Sequence, residues 1–188
     1  MKTLFKNKTI TALFFLIAVT AISLAHAALT FDPKKSTVTI TAKQMNVPMS
    51  AKFNKVNATI DYNPKTPETT KASVDIDINS FDLGDPEYNK EVLAKDWFNA
   101  AQFPKATFVS TSMKPTADGK LTAFGKLTIK GKTADVSFPV IIKKEANSTM
   151  FDGSLPIHRL AFKVGEGDWA DTSMVADEVV IKFHVVVQ

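Results

Sequence analysis

The chain has 188 residues, 45% of them hydrophobic, with 23 Lys and Arg against 19 Asp and Glu for a formal charge of +4. That length suits one domain or two small ones, and the composition is ordinary for a globular protein. The absence of Cys excludes disulfides, Cys-ligated zinc, iron–sulfur clusters and a thiol nucleophile, and three His leave too few ligands for a His-rich metal cage.

Residues 1–27 read as a secretory signal. Lys2, Lys6 and Lys8 form a basic start, and Ile10 to Leu24 is an apolar run broken only by Thr11, Thr20 and Ser23. Ala25-His26-Ala27 then supplies the small-x-small pattern that signal peptidase accepts. The run falls short of the roughly 20 residues that span a bilayer, so cleavage after Ala27 and a periplasmic destination are expected, with residues 28–188 as the mature domain. Three Lys and no acid leave with the signal, which takes the charge from +4 to +1. A nearly neutral domain gives no electrostatic case for nucleic acid.

Beyond the signal, period-two alternation predicts about eight strands of antiparallel sheet with one wet face. Strands at 29–32 and 36–45 can form one bent strand, with Val38, Ile40 and Ala42 on its apolar face. A strand at 51–63 carries Phe53, Ala58 and Ile60, and Asn63-Pro64 ends it. A strand at 70–80 sets Val74, Ile76 and Ile78 against Ser73, Asp75 and Asp77. Asp85-Pro86-Glu87 then starts a helix over 86–94: Asp can cap, Pro fits the first turn and Glu suits the positive end. Tyr88 pairs with Val92, and Leu93 with Trp97, at helical spacing. A second short turn near 95–101, holding Trp97 and Phe98, ends at Gln102-Phe103-Pro104. The later strands are 106–114 with Phe108, 120–130 with Leu127 and Ile129, 133–144 with Val136, Phe138 and Val140, 149–157, and 177–187 with Ile181 and Phe183. Asp118-Gly119, Lys130-Gly131-Lys132 and Asp152-Gly153 read as strand connections. A closed up-and-down barrel and a two-sheet sandwich both fit this pattern, and periodicity does not choose between them.

Few residues suggest chemistry. After signal removal His158 and His184 remain, each reading as a solvent-facing residue at or near a strand, and neither a Gly-x-Ser-x-Gly elbow nor an HExxH motif occurs. Asp75 and Asp77 share a face opposite apolar residues and so point to water. Glu166, Asp168 and Asp171 sit in a Gly-containing loop without EF-hand spacing. Catalytic residues, a metal and a cofactor are therefore not expected. Arg159 is the lone Arg among 23 basic residues, a position that wants a planar multidentate donor. An ion pair with Asp177 or Asp82 is the expected use, with contact to a ligand head as the alternative.

Four stretches together resemble the YceI family of secreted, lipocalin-like polyisoprenoid-binding proteins. They are Ser80 through Gly84; Leu93 through Phe98 with Phe103-Pro104 and Ala106-Thr107-Phe108; Leu127 through Thr133 leading into Val136 through Val140; and Ile157 through Gly165 followed by Val175 through Ile181. The resemblance implies an all-β fold, an eight-stranded antiparallel lipocalin-like barrel with one or two short helices. It also implies a tunnel for a polyprenyl chain such as that of a quinone. Many relatives carry a basic residue, Asp and His in the short helix, whereas this chain has Pro86 through Leu93 there. The Gly165 to Asp171 stretch resembles the branch found beside membrane b-type cytochromes.

The expected function is a periplasmic carrier of a polyisoprenoid lipid, with transient membrane contact and an open question of dimerisation. Its tunnel candidates are the apolar-face residues Val38, Ile40, Phe53, Ile60, Val74, Ile76, Ile78, Phe108, Leu127, Ile129, Val136, Phe138, Val140, Ile181 and Phe183. Tyr88, Trp97, Phe98, Arg159 and Trp169 are the entrance candidates. The alternatives are a filled barrel docking a membrane cytochrome and an enzyme acting on a small apolar substrate.

Overall fold

The computed structural model describes residues 29–116 and 120–188; the expected signal segment 1–27 and the expected connection at Asp118-Gly119 lie outside the described residues. The alternating runs form strands β1 (Thr37–Gln44), β2 (Val47–Phe53), β3 (Val56–Asp61), β4 (Lys71–Asp77), β5 (Phe81–Asp82), β6 (Lys105–Pro115), β7 (Leu121–Ile129), β8 (Lys132–Lys144), β9 (Thr149–His158) and β10 (Glu178–Val187). The one α-helix among the described residues, α1 (Pro86–Leu93), lies between β5 and β6. All ten strands belong to one antiparallel sheet in the order β3-β4-β6-β7-β8-β9-β10-β1-β2-β5.

That order explains the shape. β3 stands at one end of the sheet and β2 next to the other end, yet only Asn54 and Lys55 separate them in sequence. The sheet must curl until its ends nearly meet, giving a strongly curled half-barrel. The corner is tied by Asn54 N–H to the Ser80 carbonyl (3.0 Å), Lys55 N–H to Ser80 Oγ (2.9 Å) and Asp77 N–H to the Lys55 carbonyl (3.1 Å).

Several expectations change here. The described residues form ten strands, not eight. The expected strand 51–63 breaks at the Asn54-Lys55 corner, because its two halves pair at opposite ends of the sheet. Residues 29–32 contribute only a bridge, Phe31 to Val187. Ile78 leaves the strand for a tight 3-10 turn, Ile78–Ser80, where the Asp77 carboxylate accepts the Asn79 N–H at 3.0 Å. The two-residue β5 follows and pairs with β2. Asp152-Gly153 is not a turn but the middle of β9, where Gly153 faces Phe183 across the ladder. A Cβ there would lie 2.1 Å from Phe183 Cζ, so the glycine makes room for the ring.

α1 begins as its sequence predicts: the Asp85 carboxylate accepts from the Glu87 and Tyr88 N–H groups, and Pro86 occupies the first turn. It ends at Leu93, so Trp97 lies in the following turn rather than on the helix. The second short helix near 95–101 is such a turn, closed by Phe98 N–H to the Val92 carbonyl (3.1 Å) and Ala100 N–H to the Leu93 carbonyl (3.0 Å). No helix among the described residues is long and apolar enough to cross a membrane.

Candidate functional site

The concave face of the sheet encloses an apolar lumen of two adjoining chambers that share part of their lining. The larger, about 170 Å³, lies toward α1 and is walled by β1, β2, the turn after α1 and the loop that follows β9. The smaller, about 110 Å³, lies toward the Phe108–Phe138–Phe183 cluster, whose neighbouring ring centroids are 5.2 and 5.4 Å apart. Val38, Ile76, Ala106, Leu127 and Ile181 border both chambers and form a waist between them. Each chamber is of the size of engineered apolar cavities near 150 Å³ that stay dry and accept a benzene-sized guest. The strand alternation places these side chains inward, and the wall is nearly without polar atoms.

Fourteen of the fifteen tunnel candidates border the lumen. Ile40, Phe53, Ile78 and Ile129 line the larger chamber, Ile60, Val74, Phe108, Phe138, Val140 and Phe183 the smaller, and the other four belong to the waist. Val136 alone does not; it is half-buried and packs against the core. Sequence reasoning missed Met49, Ala51, Phe81, Leu83, Phe151 and Phe162. Met49, Ala51 and Phe53 alternate along β2, a signal obscured by Pro48 and by the misplaced start of the strand.

The larger chamber reaches the surface between the β1–β2 hairpin and α1, where its exposed lining residues, Lys43, Tyr88 and Glu91, gather. Trp97, Phe98 and Trp169 also border this chamber. Phe98 is buried and packs edge-on against Phe53 at 6.2 Å, while Trp97 and Trp169 stand 5.3 Å apart. Trp97 Nε1 is the one buried side-chain polar atom without a hydrogen-bond partner among the described residues.

Arg159 does not form the expected ion pair. Its side chain is 3% exposed and donates five hydrogen bonds, all to backbone carbonyls: Nε to Ala176 (3.1 Å), Nη1 to Val164 and Gly165 (both 2.9 Å), and Nη2 to Trp169 (2.6 Å) and Val175 (2.7 Å). The planar fork thus ties the 164–176 loop into a cap over one side of the lumen. Burial lowers its pKa, opposed by the nearby Asp177 charge. Gly165, at φ +78°, lets the guanidinium lie against its backbone; a Cβ would fall 2.2 Å from Nη1. Asp177 instead accepts the Leu160 N–H at 3.0 Å and meets His158 Nδ1 at 3.0 Å. Asp82 accepts the Gly84 N–H at 2.9 Å, the main cause of its lowered pKa.

The same cap has a second buried cation. Lys130 turns out of the β7–β8 hairpin and donates to the Lys163 carbonyl (2.7 Å) and to Glu166 Oε2 (3.1 Å). That hydrogen bond is the first cause of the lowered Glu166 pKa. Glu166 also lies 3.9 Å from Lys163 Nζ. Asp171 accepts the Ser173 N–H at 2.8 Å. His184, half-buried rather than freely solvated, meets Asp152 at 2.6 Å. No group of three His, Asp or Glu placed to hold a metal occurs among the described residues.

A family model described as the YceI-like domain matches residues 29–187. The crystal structure of Burkholderia cenocepacia BcnA superposes with a TM-score of 0.82 at 48% identity, covering 84% of this chain and 99% of that one. A Campylobacter jejuni YCEI protein (TM-score 0.68, 21% identity, 98% and 99% covered) and a polyisoprenoid binding domain from Saccharophagus degradans (0.68, 14%, 87% and 99%) share the fold. Among curated relatives, the UPF0312 protein YE1254 of Yersinia enterocolitica is 34% identical over 95 residues, 50% of this chain and 49% of the relative. The chain spans about half the length of that relative.

Proposed function

The chain belongs to the YceI-like family, and from that premise we propose that its lumen holds a polyisoprenoid lipid, such as a polyprenyl quinone, as a periplasmic binding or carrier protein. The observation that carries this reading is the pair of adjoining apolar chambers on the concave face, the larger with exposed lining residues gathered beside α1. A prenyl tail has no charge to read, so recognition falls to the length and girth of an apolar bore. Each methylene-sized group removed from water is worth about 0.8 kcal/mol. A lipid leaving a bilayer already enjoys that burial, so exchange between membrane and lumen is nearly balanced and needs no energy input. The polyisoprenoid binding domain of Saccharophagus degradans, which shares the fold, supports the ligand class. The lumen wall offers no converging acid, base and nucleophile: Lys43 and Glu91 sit at the mouth and the Arg159 donors are taken up by carbonyls. On this reading the chain works by binding and release.

Trp97 and Trp169 both border the larger chamber, and they are the chain's two tryptophans. A quinone seated there is expected to quench their fluorescence, and solvent extraction of protein secreted by its host, followed by mass spectrometry, is expected to yield a prenyl lipid. A preparation with no extractable lipid and no quenching by added polyprenyl quinone would sink the reading.

A further inference from the structure

We infer that the mouth of the lumen is a membrane-docking surface, in which Met45, Val47, Tyr88 and Met174 enter the interfacial region of a lipid bilayer. The inference rests on the reading of the lumen as a lipid site and names the surface through which that lipid would pass. Six large hydrophobic side chains are exposed among the described residues, and these four are among them, at 65, 63, 55 and 42%. Single exposed hydrophobics are ordinary, but a cluster is not. The other two, Val109 and Ile141, are on the separate strands β6 and β8.

The four are gathered by the fold. Met45 and Val47 flank the tip of the β1–β2 hairpin, and the Met45 N–H donates to the Met174 carbonyl at 2.8 Å. Gln44 pairs with Val47 on one side and bridges to Val175 on the other. β5 runs antiparallel to β2, so the chain leaving Asp82 heads back along β2 toward the hairpin tip before α1 begins. Tyr88 borders the same chamber as Lys43 and Gln44.

The turn itself argues for a role at the tip. Met45 and Asn46 have φ of 49° and 66°, consecutive left-handed residues of the kind a two-residue hairpin requires. Asn suits that conformation and Met does not, so turn chemistry does not explain an exposed methionine here. Of the exposed residues that line the mouth, Lys43 and Glu91 carry opposite charges, and Asp85 and Asp171 lie on the elements beside it, so no cluster of basic residues favours anionic lipid and contact with a bilayer falls to the apolar side chains. A bilayer fits this patch because the apolar rim is continuous, through Met49, with the wall of the lumen. A prenyl tail can then pass from acyl chains to lumen without crossing water.

The test uses the lipid-free protein and phosphatidylcholine vesicles without quinone, read by co-sedimentation. The wild type is expected to sediment with the vesicles, equally at low and high salt. Met45→Asn/Met174→Gln, whose Asn suits the left-handed position, is expected to bind about tenfold more weakly. The same variant is expected to retain tryptophan quenching by a short-tailed polyprenyl quinone added in solution. A wild type that stays in the supernatant, or a variant that sediments equally well, overturns the proposal. So does light scattering that shows a wild-type dimer made monomeric by the substitutions without vesicle binding, which would assign the patch to a second copy of the chain. Vesicle binding without quinone quenching would leave the docking surface standing and defeat the lumen reading instead.

Discussion

The lumen and its cap are stabilised in opposite ways. Around the waist, Val38, Ile76, Ala106, Leu127 and Ile181 are all apolar, and a chamber lies on either side of them. In the cap, Arg159 and Lys130 are buried cations whose donors have backbone or carboxylate partners at 2.6 to 3.1 Å. Directional bonds hold the loop that roofs the lumen, while the lumen itself is left under-filled. Substitutions in the cap should therefore act on stability, and substitutions in the waist on what is bound.

The largest effect is expected at Arg159. Replacement by Leu strips five carbonyls of their donor, and each buried group left unsatisfied costs about 1 kcal/mol or more. A loss on the order of 4 kcal/mol is expected by urea denaturation, with Arg159→Lys intermediate because an ammonium has three donors. A loss below about 1 kcal/mol would mean that water replaces the guanidinium and that the cap is not the rigid part.

Next come the glycines that let rings cross the lumen side of the sheet. A Cβ on Gly125 would meet Phe108 Cε2 at 2.4 Å and the Val109 carbonyl oxygen at 2.5 Å, and backbone cannot swing aside. Gly125→Ala should cost about 1 to 3 kcal/mol. The three atoms nearest a Cβ on Gly153 all belong to the Phe183 ring, so Gly153→Ala should be costly and adding Phe183→Leu should restore part of its loss. If the second substitution restores nothing, the ring is not what the glycine accommodates.

These two glycines also show where the sequence was readable. The alternating apolar residues of the strands marked the inner face because period two is a direct consequence of strand geometry; Val136 is on that face but packs into the core without bordering a chamber, and Ile78 reaches the lumen from a turn. Asp85 and Pro86 marked the start of α1 because capping is a local matter. Three features depended on contacts distant in sequence. Asp152-Gly153 has turn composition, but its glycine answers a ring on β10. The Asn54-Lys55 corner exists because β2 and β3 pair with opposite ends of the sheet. Arg159 stands out in the sequence as the lone Arg, yet its partners are carbonyls from residues 164 to 176, and a carbonyl leaves no mark in the sequence.

A waist substitution separates a hollow lumen from a filled one. Ala106 borders both chambers, and Leu there should occupy the bore with less than about 1 kcal/mol change in stability, while weakening binding of a long polyprenyl quinone about tenfold. A short-tailed quinone confined to the larger chamber should be less affected. Destabilisation of about 1 to 3 kcal/mol, the usual result of overpacking, with binding unchanged, would show that the waist is already full and that the contrast with the cap is false.

The smallest effect concerns the ion pair on the cap. The Lys130 hydrogen bond holds the Glu166 carboxyl below the usual carboxylate range. A depressed folded pKa stabilises the fold above the unfolded value, about 4.3 for Glu, and that contribution is lost as pH falls through the folded value. Glu166 is partly exposed, at 44% of its side chain, so screening keeps the contribution small. Asp82 acts in the same direction through the Gly84 N–H, but it is unchanged in Glu166→Gln, so the difference between the two proteins isolates the cap. Urea midpoints should be slightly lower for Glu166→Gln at pH 7 and should converge with the wild type on acidification below pH about 4. Parallel curves would mean that the Lys163 carbonyl, at 2.7 Å, holds Lys130 without help from the carboxylate. The cap would then be tied by backbone acceptors alone, as Arg159 already is.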